Sequence, residues 1–423
     1  MTMGQFKTII ARLSAVILLI NLMWGCGRVP QIKDIPPPSS RLPFVKVLLE
    51  NTGTQHRISP YDKNELAVHC FKNGKRISYY SRQPIVVQLK GNQLDLYSGD
   101  GARLEKNIDH LIISPRGKNQ IFAYDGNNYR GLLDVTSTGS KLKLINTVFI
   151  EDYLKGVVPH EIGKTPPEQM EAIKAQAVAA RTYAINRLGQ YGPAYGYDLK
   201  SDVSDQIYKG MAGEDDLVNK ALEATNGLVA TYDDKLINAY YHSTCGGQTD
   251  NIEDVWDKDP EPYLVSVSDG DACEISKYFT WTEKFTADQI IDRLQNYLSQ
   301  EYTEDVRVGR LLDIRIIART PGGRVASIVF ETTSGLFTFN KEKVRWIIRR
   351  GENGESILRS ANFDIDLRRD ASGDIKEVIF NGRGYGHGVG MCQMGARALA
   401  SRGIAFDSIL KIYYQGIELK HLY

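Results

Sequence analysis

Three short stretches of the 423-residue chain carry side chains whose types and spacing could do chemistry. The first is PHEIG, which places Glu161 in a loop between a helical stretch and a strongly marked helix start. Burial of a carboxyl group disfavours its charged form, so an enclosed Glu161 could donate a proton near neutral pH. Most glutamates are solvated surface residues, and that reading stands beside the first. The second stretch is YYHSTCGG, where two residues separate His242 from Cys245, close enough for both to reach one zinc ion. Cys273, in SDGDAC, is a third candidate ligand, with Cys392 or a water as the fourth. The same residues could instead hold a Cys245–Cys273 disulfide, or buried thiols beside a hydrogen-bonded histidine. A Cys–His nucleophile pair needs an activated thiolate, of which the sequence gives no sign.

The third stretch is GRGYGHGVGM, residues 382–391, in which every second residue from Gly382 to Gly390 is glycine. It fails the dinucleotide register G-x-G-x-x-G, because His387 stands where the third glycine belongs. No Lys-Ser/Thr follows, so it is not a phosphate loop either. If extended, one face is bare backbone and the other presents Arg383, Tyr385 and His387. That suits the floor of a groove for a polar polymer. A compact irregular loop, or tight packing on a central helix, is equally open.

These residues need elements to position them. The clearest is a helix whose body is QMEAIKAQAVAARTYAINRL, rich in Ala and free of Pro and Gly. Thr165, Pro166 and Glu168 in TPPE read as N-cap, first helical residue and capping-box partner. Met170, Ile173, Ala177, Ala180 and Ala184 share one face, and their small size lets another element pack closely, which predicts a buried central helix. Before it, EDYLKGVV (151–158) has a helical look, ending ahead of Pro159. Short β-branched runs broken by Gly, Asn and Asp fill 44–150 and return over 281–380. The expected class is α+β, a central Ala-rich helix packed with β-rich lobes of mixed and antiparallel sheets. The expected division is a β-rich lobe at 44–150, a helical core with Glu161 at 151–280, a β-rich lobe at 281–380, and the Gly-rich loop with C-terminal helices at 381–423.

The N-terminus is a positive segment followed by the apolar run ARLSAVILLINLMWGC, too short for a comfortable membrane span. With the small Gly25 before Cys26, residues 1–26 resemble a lipoprotein-type signal, with Cys26 as the lipidated residue and membrane anchor; an uncleaved signal anchor or a plain secretory signal is the other reading. IPPPSSRLP lies in a Pro/Ser tether spanning 27–43. This places the body of the protein outside the cytoplasm, as a membrane-anchored lipoprotein. A net charge of +1, with acids and bases mixed along the chain, gives no basic block and no nucleic-acid partner. The 23 tyrosines against 13 phenylalanines suit a carbohydrate groove and equally an ordinary β-surface.

Taken together, FIEDYLKGVVPHEIG, EQMEAIKAQAVAARTYAINR, SDVSDQIYKG, AYYHSTCGGQTDNIEDVW and GRGYGHGVGMCQMGARALASRG, with ILKIYYQGIEL, resemble the stage II sporulation protein D / amidase enhancer family over about residues 44–423. His160 stands where that pattern has small or polar residues. The resemblance implies a peptidoglycan lytic transglycosylase that cuts MurNAc–GlcNAc links in denuded glycan strands to 1,6-anhydro ends. It implies Glu161 as the single general acid and base, since the substrate's own C6 hydroxyl replaces the second carboxylate of ordinary glycosidases. It adds Gln206 and Tyr208, from SDQIYKG, as neighbours of Arg383, Tyr385 and His387 in a substrate groove. No cofactor is required, and a metal at His242 and the cysteines would be a structural zinc. The alternative the resemblance carries is a non-catalytic wall-binding protein that activates a cell-wall amidase. A zinc peptidase is disfavoured, because no His-Glu-x-x-His pattern is present.

Overall fold

The computed structural model describes residues 43–423 apart from 51–52, 63, 118–119 and 302–305. The expected signal, Cys26 and all but the last residue of the tether lie outside the described residues. Among those described, no helix is long and apolar enough to cross a membrane.

The class is α+β. The N-terminal half builds two sheets from strands whose alternate residues are buried; in Ile85–Lys90, Ile85 and Val87 point inward with no exposed surface. One sheet runs in the order Leu199–Lys200, Phe44–Glu50, Leu142–Phe149, Leu132–Ser137, His110–Arg116, Glu65–Lys72, Lys75–Ser81. The other runs Asn127–Arg130, Ile121–Tyr124, Gln55–Pro60, Ile85–Lys90, Gln93–Ser98, Arg103–Ile108. The turn in DGNNYRG is Asp125-Gly126, both at positive φ, which suits a two-residue hairpin. Phe44–Glu50 pairs antiparallel with Leu142–Phe149 on one side and parallel with Leu199–Lys200 on the other, stitching the helical region into the sheet. One hydrophobic core accordingly runs from Val45 through the helices to Leu422. A second core runs from Trp281 to Phe380 and takes in the hairpin Phe363–Arg369/Ile375–Arg383, which turns at Ala-Ser-Gly.

Two helices frame the chemistry. Helix α1, Ile150–Ile162, begins with Glu151 and Asp152 in its first turn, where carboxylates meet the positive end of the helix. It does not stop at Val158, as the proline suggested. Pro159 lacks only its own N–H, and its carbonyl still accepts from Gly163 N at 3.1 Å, so the helix runs one further turn. Glu161 therefore sits on the last turn of a helix and not in a loop. Gly163, at φ 70, ends it.

Helix α2, Met170–Asn186, is the Ala-rich element, buried on nearly every side from Ala172 to Ile185. The expected capping box does not form. Pro167–Gln169 make a 3-10 turn, and the Thr165 hydroxyl donates to Gly163 O at 2.9 Å instead of capping α2. Across the two helices Arg181, with no exposed surface, binds Glu151 through both carboxylate oxygens, Nε–Oε1 2.7 Å and Nη2–Oε2 2.8 Å. The C-terminal Tyr423 hydroxyl also donates to Glu151. The pair fixes how α1 lies on α2, and so where Glu161 stands.

Candidate active site

Glu161 is half-buried, and its Oε1 accepts a hydrogen bond from Ile207 N at 3.0 Å. Burial raises its pKa to about 7, with the Ile207 N–H pulling the other way. The loop that brings Ile207 here, residues 201–214, is held at several points. Gly156 of α1 has no side chain, and Gly210 O and the Tyr208 ring lie in the space a Cβ would need. His160 Nε2 donates to Ala212 O at 2.8 Å, so the unexpected histidine is an anchor for this loop. Arg130 pairs with Glu214 at its far end. Asp205 accepts from Lys200 N at 2.9 Å and from the Tyr191 hydroxyl at 3.0 Å.

Gln206 and Tyr208 do not face a groove. Gln206 has no exposed surface, and its amide accepts from the Tyr153 hydroxyl (3.1 Å) and donates to the Tyr241 hydroxyl (2.9 Å) and Ala180 O (3.3 Å). Tyr208 is buried, packs against Tyr153 and donates to Asn146 Oδ1 at 2.9 Å. Gln206 backs the Ile207 N–H that meets the carboxyl group, Tyr208 packs behind Tyr153, and neither has appreciable surface to offer a substrate. Tyr153 and Tyr241 are kept protonated by burial, with the Glu161 charge adding to the effect. Sequence reading missed these two tyrosines; YYHSTCGG was read for its histidine and cysteine alone.

The glycines of 382–391 have a use other than receiving a ligand. The strand ends at Arg383, and Gly384, Gly386, Gly388 and Gly390 all take positive φ in an irregular loop. Their bare side is occupied by the chain itself. A Cβ on Gly384 would lie 2.7 Å from Thr244 O, and one on Gly386 2.7 Å from His242 Cβ. Gly390 meets Tyr240 O, and Gly388 the Arg324 guanidinium. The loop is thus packed on residues 240–246, with Tyr241–His242 running parallel to Met391–Cys392. Nor is His387 free to bind: its Nε2 donates to Tyr241 O (3.0 Å) and its Nδ1 accepts from Val389 N (3.1 Å). Burial and nearby cations push its pKa down to about 3, so it is a neutral strut linking this loop to Tyr241. Arg383 and Tyr385 do reach the surface. Tyr385 stacks on Tyr278 with centroids 4.7 Å apart, and the Arg383 guanidinium lies 4.5 Å over the Phe279 ring.

The cysteines gather, without His242. The sulfurs of Cys245, Cys273 and Cys392 and a carboxylate oxygen of Asp269 all lie within 4.8 Å of one another, and all four residues are buried. His242 turns away, with Nδ1 against Val389 O at 3.2 Å, and burial keeps it neutral. Cys70 is buried in the N-terminal sheets. The described cysteines are free thiols. Asp269 was not singled out in SDGDAC, which was read for Cys273 alone; its place four residues before Cys273 was the available signal. Arg324, just before the strand Val325–Thr332 and almost wholly buried, binds Cys245 O (2.7 Å), Gln248 O (3.1 Å) and Asp250 Oδ2 (2.7 Å), clamping this segment from the other side.

Residues 138–232, which hold α1, α2 and the Ile207 loop, match the family described as SpoIID: Stage II sporulation protein. Residues 271–390 match a domain of unknown function, DUF8618. The chain is 32% identical over 290 residues to the stage II sporulation protein D of Bacillus amyloliquefaciens, covering 65% of this chain and 75% of that protein. It is 31% identical over 298 residues to an uncharacterized protein of Brachyspira hyodysenteriae, covering 70% and 74%. With the amidase enhancer of Bacillus subtilis it shares 29% identity over 63% of this chain, which spans only 40% of that relative. On these matches, the chain belongs to the stage II sporulation protein D / amidase enhancer family.

Proposed function

We propose that this chain is a peptidoglycan lytic transglycosylase in which Glu161 is the single general acid and base. A cell-wall-related role comes with membership of the family. The observation that carries the finer reading is a half-buried carboxyl group raised to about 7 and steadied by one backbone N–H. A carboxylic acid that holds its proton near neutrality is suited to protonate a leaving oxygen.

With Oε1 held by Ile207, Oε2 carries the proton to the glycosidic oxygen between MurNAc and GlcNAc as the C1–O bond breaks. The carboxylate so formed takes the proton of the MurNAc C6 hydroxyl as that oxygen closes on C1. The products are a free GlcNAc hydroxyl and a 1,6-anhydro end, with no water consumed and Glu161 reprotonated. The low dielectric around Tyr153 and Tyr241 disfavours the bare carboxylate, which drives the second proton transfer. Tyr385 on Tyr278 offers a ring face, and Arg383 a donor, to the glycan strand.

The wider reading is a protein held outside the cytoplasm by a lipid on Cys26, working on denuded strands. A second reading, a wall-binding activator of an amidase, is favoured by the name of the 29%-identical relative. Digestion of denuded glycan strands by the wild type and by Glu161→Gln, read by mass spectrometry, separates the two. Anhydro-ended products from the wild type alone support the enzyme. Intact strands from both, with binding retained, support the activator.

A further inference from the structure

We infer that Cys245, Asp269, Cys273 and Cys392 form a structural zinc site that staples the Gly-rich loop and the C-terminal helices to the core. The inference does not rest on glycan cleavage.

The geometry is that of a four-donor site. Tetrahedral zinc, with Zn–S of about 2.3 Å, sets its sulfurs about 3.7 Å apart. Cys245 Sγ lies 3.4 Å from Cys273 Sγ and 3.0 Å from Asp269 Oδ2, and the whole set stays within 4.8 Å. A disulfide would use two of the three sulfurs, Cys245 and Cys273 being 3.4 Å apart. It would leave one thiol and a buried carboxyl group with nothing to do, and Asp269 Oδ1 is already buried without a hydrogen-bond partner. A divalent ion uses all four donors at once and answers that buried charge.

The surroundings also fit. Cys392 Sγ accepts from Cys245 N (3.2 Å) and from Gly395 N (3.3 Å), the second as N-cap of helix Gln393–Ser401. Such N–H···S bonds stabilise thiolates and orient them. Gly395 leaves room: a Cβ there would fall 2.6 Å from Asp269 Oδ2 and 3.3 Å from Cys392 Sγ. Three thiolates and a carboxylate with no open position mark a structural site, and a soft divalent ion of the zinc class. Cys245 and Cys392 stand 147 residues apart, so the ion closes a long loop. It pins residues 240–246 to the chain just after the glycine loop.

The experiment uses the full chain, purified without reductant or chelator, for metal analysis and differential alkylation. About one zinc per chain is expected, with Cys245, Cys273 and Cys392 alkylated only after a chelator removes it. Cobalt substitution of the wild type should give thiolate-to-cobalt charge-transfer absorption. Asp269→Asn should weaken zinc at least about tenfold in chelator competition, while His242→Ala should keep one zinc. A metal-free protein with two of the three cysteines resistant to alkylation until reduced would overturn the site in favour of a disulfide. A metal-free protein with all three alkylated at once would overturn it too.

Discussion

Glu161 Oε1 lies 3.0 Å from the amide nitrogen of Ile207, one of two hydrogen bonds, with His160 to Ala212 O, that join the last turn of α1 to the 201–214 loop. The N–H favours the carboxylate and burial favours the acid, and burial is the larger influence. The acid is the form that starts the proposed reaction. Activity should therefore be flat below neutrality and fall about tenfold per pH unit above about 7. A profile of kcat/KM on glycan strands checks this. A basic limb near 4.5, the ordinary glutamate value, would mean that burial does not hold the proton on Glu161 near neutrality.

The same shift bears on stability. Between 4.5 and about 7 the folded chain binds a proton at Glu161 that the unfolded chain has released. The contribution is complete below 4.5 and is lost as pH rises through about 7. At about 1.4 kcal/mol per pH unit, an ionised Glu161 leaves the fold about 3 kcal/mol weaker than an uncharged isostere would. Glu161→Gln, which can still accept from Ile207, should match the wild type at pH 4 and exceed it by about 2–3 kcal/mol at pH 8. It should also lose activity by at least about 100-fold. Urea unfolding at the two pH values reads the first effect. Equal stability at both would show that the carboxyl group is well solvated.

Gln206 acts through its neighbour. Its amide ties together the Tyr153 and Tyr241 hydroxyls and Ala180 O, and so sets the direction of the Ile207 N–H. Gln206→Met takes this partner from the two hydroxyls at a cost of about 1–3 kcal/mol. Loosening the N–H on Glu161 removes an influence that lowers its pKa, so the basic limb should move above 7 while KM changes little. A limb that stays in place, with only stability lost, would make Gln206 a packing residue.

Much of this was legible in the sequence and some was not, for identifiable reasons. Helix α2 could be read because an Ala-rich run without Pro or Gly has few alternatives. The end of α1 could not, because Pro159 forfeits one hydrogen bond and the helix makes up for it by closing on Gly163. The TPPE capping signature misled because a 3-10 turn intervenes before Met170. The alternating glycines suggested one bare face of an extended segment, whereas they form an irregular loop of positive-φ glycines. What lies against them comes from residues 240–246 and Arg324, too far along the chain for local pattern to reveal. Asp269 and the Ile207 N–H escaped for the same reason, since each meets its partners only through the tertiary fold.

The buried ion pair between α1 and α2 should be needed as a pair. Arg181 and Glu151 are both withdrawn from water, and each satisfies the other's charge. Arg181→Met or Glu151→Gln alone should cost about 3–5 kcal/mol, because the partner is left charged or unpaired in the core. The double variant should recover part of that loss. Denaturant curves on the four proteins give the coupling. Strict additivity would mean that water reaches the pair.

Gly386→Ala examines the packed loop directly. Its φ of +116 disfavours any side chain, and the new Cβ would stand 2.7 Å from His242 Cβ. His242 cannot withdraw easily, since its ring is held by Val389 O and packs against His387. Gly91→Ala is the control: its φ is +61, and a Cβ there meets nothing within 4 Å. The control should lose about 1 kcal/mol from backbone strain alone. Gly386→Ala should lose at least about 2 kcal/mol more, from crowding in a dense interior. It should also lower activity, because His387 and Tyr241 link that loop to the wall behind Glu161. Equal losses at the two positions would mean that residues 240–246 yield, and that this glycine serves backbone conformation and not close packing.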